Sequence, residues 1–229
     1  MKWNEIASNT DTTEALRLAT SYVDGRKVFT TSFSPEDQII THLLVQHKLD
    51  AQIVTLDTGR HFEQTYALHE RTEKWLGIKI KAFFPDAKDI DALYAAQGVT
   101  GFYQSVANRH ECCRVRKRVP LEKALSGAKL WITGLRADQS KFRKSMNMWE
   151  EDKVRGLTKY NPLFHWSDEK VQEYIQRCHV PVSELHSLGY ASIGCAPCTR
   201  AVTAGEHPRA GRWWWETSKK ECGLHLASI

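Results

Sequence analysis

The sequence contains neither a membrane-spanning segment nor a secretory leader. No run of apolar residues approaches the roughly 20 residues that cross a bilayer. The first 18 residues, MKWNEIASNTDTTEALRL, lack the apolar stretch of a signal peptide. The chain also has no internal repeat and no low-complexity tract. We therefore expect a globular protein of the cytoplasm, without a membrane partner.

Charge of one sign is not in large excess. The 32 Lys and Arg residues face 27 Asp and Glu residues, which gives a net charge of +5. This is too small to predict a nucleic-acid partner. The basic residues nevertheless form two clusters along the chain: Arg109, Arg114, Arg116, Lys117, Arg118, Lys123, and Arg200, Arg209, Arg212, Lys219, Lys220. Two such clusters predict a small polyanionic ligand.

The six cysteines belong to a chain with no sign of export. Because the cytosol keeps thiols reduced, structural disulfides are rare there. We therefore expect metal ligands or redox-active thiols. Cys178 is the exception, since it stands at a predicted helix end among apolar neighbours and is expected to be a small core residue.

Short β-branched and aromatic runs alternate with helical patterns along the chain. The runs predict strands at Lys27–Phe33, Ala51–Leu56, Ile78–Phe84 and Lys129–Thr133. Helices are predicted at Pro35–His47, His61–Leu76, Lys88–Gln97, Lys117–Leu125 and Ser167–Cys178. This alternation predicts an α/β fold with a mostly parallel sheet and helices on both faces.

Small polar residues and glycines follow three of the predicted strands, at the end where open α/β sheets bind ligands. A helix start after the first strand can hold a phosphate or sulfate with its N–H groups. The candidate substrate-binding residues are Ser32 and Ser34 in the first turn and Gly134 and Arg143 in and after the turn Thr133–Ser140. In the turn Leu56–Arg60, Thr58 and Arg60 offer donors to a ribose or phosphate. Each turn alone fits ordinary loop chemistry, but together they predict a nucleotide pocket.

Beyond Pro181, glycines and prolines interrupt every periodicity. We therefore divide the chain into three parts. Residues 1–180 form a nucleotide-binding α/β domain, 181–215 a loop-rich lobe that carries cysteines and arginines, and 216–229 a mobile tail with a catalytic cysteine.

Two cysteine pairs stand about eighty residues apart, Cys112-Cys113 and Cys195-x-x-Cys198. Four thiolates can hold a zinc ion or an iron–sulfur cluster. Adjacent cysteines span one tetrahedral zinc poorly, whereas a 4Fe–4S cluster offers several iron atoms. The spacing favours the cluster. A zinc ion and a regulatory disulfide remain the alternatives.

Cys222 stands alone in the near-terminal segment ECGLH. Lys220 and His225 would lower the pKa of its thiol and favour the nucleophilic thiolate. The simpler interpretation is an inert cysteine near a frayed end.

Taken together, these motifs resemble the assimilatory sulfonucleotide reductases, and specifically the bacterial adenylyl sulfate (APS) reductases. The match runs through SFSPEDQ, LDTGR, CCRVRK, TGLRADQS, SIGCAPCTR, RAGRWWWE and ECGLH, over about four-fifths of the chain. Pro35 and Gln38 depart from the small and aliphatic residues of the family's first loop, although proline fits a first helical turn.

The resemblance implies an adenine nucleotide α-hydrolase-like fold and a set of residue roles. It implies a 4Fe–4S cluster on Cys112, Cys113, Cys195 and Cys198. Lys117, Arg209, Arg212 and His225 should surround the phosphosulfate of the substrate, with Cys222 as nucleophile. The adenosine end should meet Ser32, Leu56, Thr58, Gly134 and Arg143.

The resemblance also implies the reaction. APS would be reduced to sulfite and AMP through an S-sulfocysteine on Cys222, in assimilatory sulfate reduction and cysteine biosynthesis. The electrons would come from thioredoxin or a glutaredoxin-like protein. The two cysteine pairs point to APS, because reductases restricted to the 3′-phosphorylated substrate (PAPS) lack both. A homo-oligomer stays open.

Three alternatives remain at this point. The first is a PAPS reductase or an enzyme of dual specificity. The second is a tRNA-thiolating ATP pyrophosphatase, although that enzyme requires a Ser-Gly-Gly-x-Asp-Ser or Thr loop, where this chain has Phe33-Ser34-Pro35. The third is a zinc-stapled nucleic-acid-binding module built on the two basic clusters.

Overall fold

A computed structural model describes residues 11–140 and 143–217. Its centre is a six-stranded sheet with the order β3-β2-β1-β4-β6-β5. The strands are β1 (Arg26–Thr31), β2 (Gln52–Leu56), β3 (Lys81–Phe83), β4 (Ala128–Ile132), β5 (Trp149–Asp152) and β6 (Leu157–Tyr160). β1 pairs in parallel with β2 and β4, β4 pairs in parallel with β6, and β5 runs antiparallel to β6. The predicted α/β class with a mostly parallel sheet is confirmed.

Helices connect the strands. They are α1 (Thr12–Tyr22), α2 (Pro35–Gln46), α3 (Glu63–Leu76), α4 (Ala87–Gln97), α5 (Val106–Cys113), α6 (Val119–Leu125) and α7 (Asp168–Cys178). The predicted start of α2 is confirmed, because the Ser34 side chain accepts a hydrogen bond from the Asp37 N–H and Pro35 fills the first turn. Ser167 caps α7 in the same way. No helix within the described residues is long and apolar enough to cross a membrane.

Three elements differ from the prediction. Helix α1 has an Asp11 cap that the pattern did not reveal. The predicted helix Lys117–Leu125 is part of a longer helical stretch that begins at Val106. The hairpin β5–β6 was also missed, because the WEED sequence of its edge strand is mostly charged and gives no apolar run.

The main core packs α1, α2 and α7 with the central strands. Its members include Leu16, Phe29, Ile39, Ile132 and Tyr160, each with no measurable exposure. Half-buried Cys178 packs against this core, as predicted. A functional role is therefore expected for the other cysteines.

The chain divides into two compact units. We call residues 1–55, 68–81 and 125–182 the sheet unit, and residues 56–67, 82–124 and 183–229 the cysteine unit. The described part of the chain beyond Val182 contains short 3₁₀ turns at Glu184–His186 and Ala196–Cys198 and an isolated antiparallel bridge between Thr199 and Arg212. The three-part division by sequence stays a prediction.

Candidate active site

In the sheet unit, the loop after β1 forms hydrogen bonds with a nearby carboxylate, that of Asp37. The Ser32 N–H and hydroxyl both donate to Asp37 Oδ2, at 2.7 Å each. Burial raises the pKa of the Asp37 carboxyl to about 6, while the Ser32 hydrogen bonds oppose this rise. Phe33 holds a left-handed backbone conformation (φ 62°), which ends β1 two residues before the predicted boundary. The loop therefore carries an anion of its own.

Gly134, after β4, fits against this carboxylate. A Cβ atom at position 134 would lie 2.2 Å from Asp37 Oδ1 and 3.2 Å from Glu36 Cβ. Because β4 lies beside β1, the two loops meet at the point where the sheet order reverses. Only glycine allows this approach without displacing a neighbour.

Arg143 belongs to a hydrogen-bonded network in the same unit. Its guanidinium contacts Gln139 Oε1, and the Gln139 amide donates to Glu36 Oε1 at 2.9 Å. Buried Arg136 donates to the same Glu36 oxygen at 2.8 Å. The predicted residues Ser32 and Ser34 thus bond to Asp37, where Ser34 serves as the helix cap, and Gly134 packs against the same carboxylate. Arg143 belongs to the separate hydrogen bonds around Glu36.

In the cysteine unit, Leu56 and Thr58 lie at the end of β2. The Leu56 carbonyl accepts a hydrogen bond from His61 Nε2 at 3.0 Å. Thr58 is buried, and its carbonyl accepts from Arg116 Nη1 at 2.6 Å. Its hydroxyl lies 3.4 Å from the Cys195 sulfur. The Thr58 side chain therefore contacts a cysteine, and its predicted contact with adenosine stays a prediction.

The four paired cysteines line one pocket. All are free thiols; Cys112, Cys195 and Cys198 are buried, and Cys113 is half-buried. The pocket is lined further by cationic and aromatic side chains: Arg60, Arg109, Arg116, Lys117, Arg212, Phe102 and Trp213. The structure thus brings the two cysteine pairs together with two of the predicted phosphosulfate ligands, Lys117 and Arg212.

Two thiols of this pocket are hard to ionise. Burial raises the pKa of Cys198 to about 12, and Cys195 adds to the rise, while Lys117 and Arg212 oppose it. Burial also raises the pKa of Cys112, against the opposing charges of Arg60 and Arg116. Such thiols are inert as nucleophiles at neutral pH. Their chemistry suits ligands that lose their protons when a metal binds.

A π-helical segment, Arg114–Arg118, directly follows the vicinal cysteines. The Val119 N–H donates to the Arg114 carbonyl, five residues earlier. Pro120 accounts for this widening, because a proline ring clashes with the carbonyl four residues before it and offers no N–H. The segment carries Arg116 and Lys117, which both line the cysteine pocket.

Arg212 reaches the pocket because Gly194 leaves room for it. A Cβ atom at position 194 would lie 2.2 Å from Arg212 Nη2. The guanidinium donates to the Ile193 carbonyl at 3.2 Å and stacks on the Trp213 ring, 4.8 Å from its centroid. Arg209 is half-buried and is not among the lining residues.

Three N–H donors of this pocket are buried and have no hydrogen-bond partner within the described residues. They are Arg116 Nε, Arg212 Nε and Trp213 Nε1. Buried donors of this kind require an acceptor. Together with four thiols they fit an anionic, thiolate-bound group. No set of three His, Cys, Asp or Glu side chains in residues 11–140 and 143–217 could hold a metal ion by the usual spacing.

Several residues of both sites were not predicted. Asp37 stands inside the SFSPEDQ motif, but nothing in the spacing reveals that it accepts the Ser32 hydrogen bonds. Tyr94 is a further example, since its hydroxyl accepts from Arg60 Nη2 at 3.2 Å and from Arg116 Nη2 at 2.8 Å. The predicted nucleophile Cys222 and its neighbour His225 lie outside the described residues.

Comparison with known proteins agrees with this geometry. Residues 26–201 match the phosphoadenosine phosphosulfate reductase domain. The chain is 52% identical over 205 residues to an adenosine 5′-phosphosulfate reductase of Rhizobium meliloti, a match that covers 89% of the chain and 77% of that protein. It is 49% identical over 229 residues to one of Sinorhizobium fredii, covering 97% and 91%.

Solved structures of the same fold include two enzymes. Phosphoadenylyl-sulfate reductase from Candida auris, in complex with phosphate, has a TM-score of 0.73 at 25% identity and covers 87% of this chain and 94% of its own. FMN adenylyltransferase from Candida glabrata has a TM-score of 0.54 at 14% identity, covering 90% and 68%, and shares the fold alone. The fold is adenine nucleotide α-hydrolase-like, and the chain belongs to the phosphoadenosine phosphosulfate reductase family.

Proposed function

We propose that the protein reduces adenylyl sulfate to sulfite and AMP, with electrons from a thioredoxin-type or glutaredoxin-like dithiol protein. The observation that carries this proposal is the cysteine pocket, where four thiols face five cationic side chains within a chain of this family. The relatives at about 50% identity bear the name of adenosine 5′-phosphosulfate reductase. The reaction belongs in the cytoplasm, where thiols are kept reduced.

The cysteine unit is proposed to take the charged end of the substrate. Lys117 and Arg212 would neutralise the charge that builds on the sulfuryl and phosphoryl oxygens. Arg209 and His225 are assigned to the same end on the family pattern. The strongly basic pocket supports this assignment, because the substrate's phosphosulfate is anionic.

The adenosine end is proposed to meet Ser32, Leu56, Thr58, Gly134 and Arg143, and Ser34 is proposed as a further substrate-binding residue. Ser32 already donates its N–H and its hydroxyl to Asp37, so its oxygen has only lone pairs to offer. Adenosine carries the matching donors, an exocyclic amine and ribose hydroxyls. A phosphate carries none when it is ionised.

The first chemical step uses the Cys222 thiolate. It attacks the sulfate sulfur, a sulfur–sulfur bond forms, and the bond between sulfur and the bridging oxygen breaks. AMP leaves with that electron pair as a stable phosphate anion, and the enzyme is left as an S-sulfocysteine.

The second step regenerates the thiol. One thiolate of the dithiol protein attacks Cys222 Sγ and displaces sulfite, which keeps the electron pair of the broken bond. The second thiol of the donor then attacks the mixed disulfide and releases Cys222. The donor is oxidised by two electrons and sulfate sulfur is reduced to sulfite, so no further electron source is required.

Cys112, Cys113, Cys195 and Cys198 are proposed to hold a 4Fe–4S cluster. When bound, such a cluster supplies a fixed local charge beside Arg116 and Lys117. The unpartnered N–H groups of Arg116, Arg212 and Trp213 support this proposal, because cluster and substrate both offer acceptors.

The loop after β1 argues against an ATP pyrophosphatase. A pyrophosphate-binding loop must present free N–H donors to phosphate. Here the Asp37 carboxylate occupies the Ser32 donors. We therefore expect no cleavage of ATP to AMP and pyrophosphate. Against the nucleic-acid-binding alternative, we expect no salt-dependent binding of RNA by the purified protein.

The test is sulfite release from APS and from PAPS by anaerobically purified protein with thioredoxin. We expect activity with APS, and its loss in Cys222→Ser. Activity that persists in this variant would contradict the mechanism, and faster turnover of PAPS would assign the alternative substrate.

The cluster has a separate test. Iron and sulfide analysis should give about four of each per chain. Cys113→Ser should lose them and should lose turnover of APS, whereas Cys178→Ser should keep both. Turnover at the parent rate in cluster-free Cys113→Ser protein would show that the cluster has no role in catalysis.

A further inference from the structure

A buried ion pair joins the base of the carboxyl-terminal segment to the helix of the vicinal cysteines. Arg109 Nε donates to Glu216 Oε1 and Arg109 Nη2 to Glu216 Oε2, both at 2.8 Å. The two side chains are only 2% and 4% exposed. Arg109 lies on α5, one turn before Cys112 and Cys113, and lines their pocket.

This pair is not an efficient way to stabilise a fold. Removing two charges from water is expensive, and apolar replacements of a buried ion pair are often as stable or more stable. A buried pair with forked geometry is better suited to fix one arrangement of two segments. Here the two segments lie 107 residues apart in the chain.

The turn before Glu216 is fixed on a second side. The Trp213 N–H donates to the Cys198 carbonyl at 3.1 Å, and the Glu216 N–H donates to the Trp213 carbonyl at 2.9 Å. Arg109 also stacks on the Trp213 ring, 4.6 Å from its centroid. Residues 213–216 are thus attached to both cysteine-bearing segments.

Cys222 follows Glu216 by six residues. Six residues extend at most about 22 Å, so the position of Glu216 limits where the Cys222 sulfur can reach. A thiol on a short tether from a fixed point has a high effective concentration at its target.

We propose that Arg109 and Glu216 are positioning residues for the Cys222 thiol, because their ion pair fastens the start of its segment beside the cysteine pocket. The proposal rests on the proposed function, in which this thiol must meet first the bound APS and then the dithiol donor. The pair supplies the fixed end for both encounters.

The experiment is a single turnover with saturating APS and no dithiol, followed by mass spectrometry of the S-sulfonated chain. Glu216→Gln keeps the shape of the side chain and removes the charge. We expect its sulfonation rate to fall about tenfold, as for other misplaced reacting groups. The KM for APS and the iron content should stay within about twofold, which a role in cluster assembly would not allow.

The matched control is Glu111→Gln. Glu111 makes the same forked pair with Arg114, at 2.7 and 2.8 Å, but both partners are about half exposed. Its sulfonation rate should stay within about twofold of the parent, because exposed pairs contribute little. Arg109→Lys keeps the positive charge but loses the forked pair of hydrogen bonds. Its sulfonation rate should lie between those of Glu216→Gln and Glu111→Gln.

Two further measurements keep the result decisive. If Glu216→Gln does not fold, inserting Gly-Ser-Gly-Ser after Thr217 lengthens the tether from six to ten residues and should lower the rate about twofold. An unchanged sulfonation rate in a folded Glu216→Gln protein would overturn the proposal. A fall in the sulfonation rate that is matched by an equal loss of iron would overturn it as well. A parent protein that is never sulfonated would instead contradict the proposed function.

Discussion

The loop after β1 and the cysteine pocket are both rich in polar groups, but they differ in how these groups are satisfied. In the loop, Asp37 accepts the Ser32 donors, and Glu36 accepts from Arg136 and Gln139. In the pocket, buried N–H groups of Arg116 and Arg212 have no acceptor in the described part of the chain. The loop is complete by itself, whereas the pocket is arranged for an anion that residues 11–140 and 143–217 do not supply.

This difference teaches where substitutions should affect stability and where they should affect activity. Changes in the loop disturb hydrogen bonds that the fold itself uses. Changes in the pocket remove donors such as Arg116 Nε and Arg212 Nε, which have no acceptor within the described residues. The predictions below test this contrast, beginning with the largest expected effect.

Removing the Arg212 charge should have the largest effect. Arg212→Met keeps the length of the side chain, so the apolar packing on Trp213 is partly retained. We expect kcat/KM for APS to fall about 10²- to 10³-fold, as for other lost transition-state donors. Arg200→Met is the control, because Arg200 pairs with Glu206 outside the pocket, and its kcat/KM should stay within about twofold. Equal losses in both variants would contradict a specific role.

Asp37 should make the loop sensitive to pH. Its pKa is about 6 in the folded protein against 3.8 as the reference value, so the unfolded chain loses this proton first as pH rises. Between pH 4 and 6 the parent should lose about 2 kcal/mol of unfolding free energy relative to Asp37→Asn. Urea unfolding of both proteins at matched iron content measures this difference. A parent that gains stability relative to the variant over this range would contradict the assignment.

Two glycine substitutions separate the regions directly. Gly134→Ala places a methyl group against the hydrogen-bonded Asp37 carboxylate and should lower the unfolding free energy by about 1–3 kcal/mol. Gly194→Ala meets the end of the flexible Arg212 side chain, which can swing away. It should lower stability less and reduce turnover of APS about tenfold. A larger stability loss in Gly194→Ala together with a larger loss of turnover in Gly134→Ala would contradict the contrast between the loop and the pocket.

The smallest effect is expected at Tyr94. Tyr94→Phe leaves one N–H each of Arg60 and Arg116 without its acceptor, which typically lowers stability by about 1 kcal/mol. For a chain of this length the melting temperature should fall by about 2–4 °C. Tyr22→Phe on the exposed face of α1 is the control and should melt like the parent. Identical melting of both variants would show that the guanidinium groups find other acceptors.

The sequence predicted those parts of the fold that depend on local chemistry. Ser34 and Pro35 predict the start of α2, and the β-branched runs predict the central strands. The hairpin β5–β6 escaped because edge strands with charged residues have no apolar signature. The stretch from Val106 to Leu125 was only half predicted, because its helical register changes at Pro120.

The candidate site shows the same division. The spacing of the cysteine pairs was enough to predict that they meet. The Asp37 contact with Ser32 was not predictable, because a carboxylate in a helical first turn usually faces solvent or the helix dipole. The Arg109–Glu216 pair joins residues 107 positions apart, and no local pattern marks such a partner.

The π-helical segment Arg114–Arg118 has one more consequence. Each residue of an α-helix turns the chain by about 100°, so a single residue more or less rotates everything that follows by that angle. The number of residues between Cys113 and Pro120, more than their identity, therefore sets whether the thiols and Lys117 face the same pocket. A one-residue deletion that returned this segment to a regular α-helix would leave the composition of the site nearly intact and still turn its cations away from its cysteines.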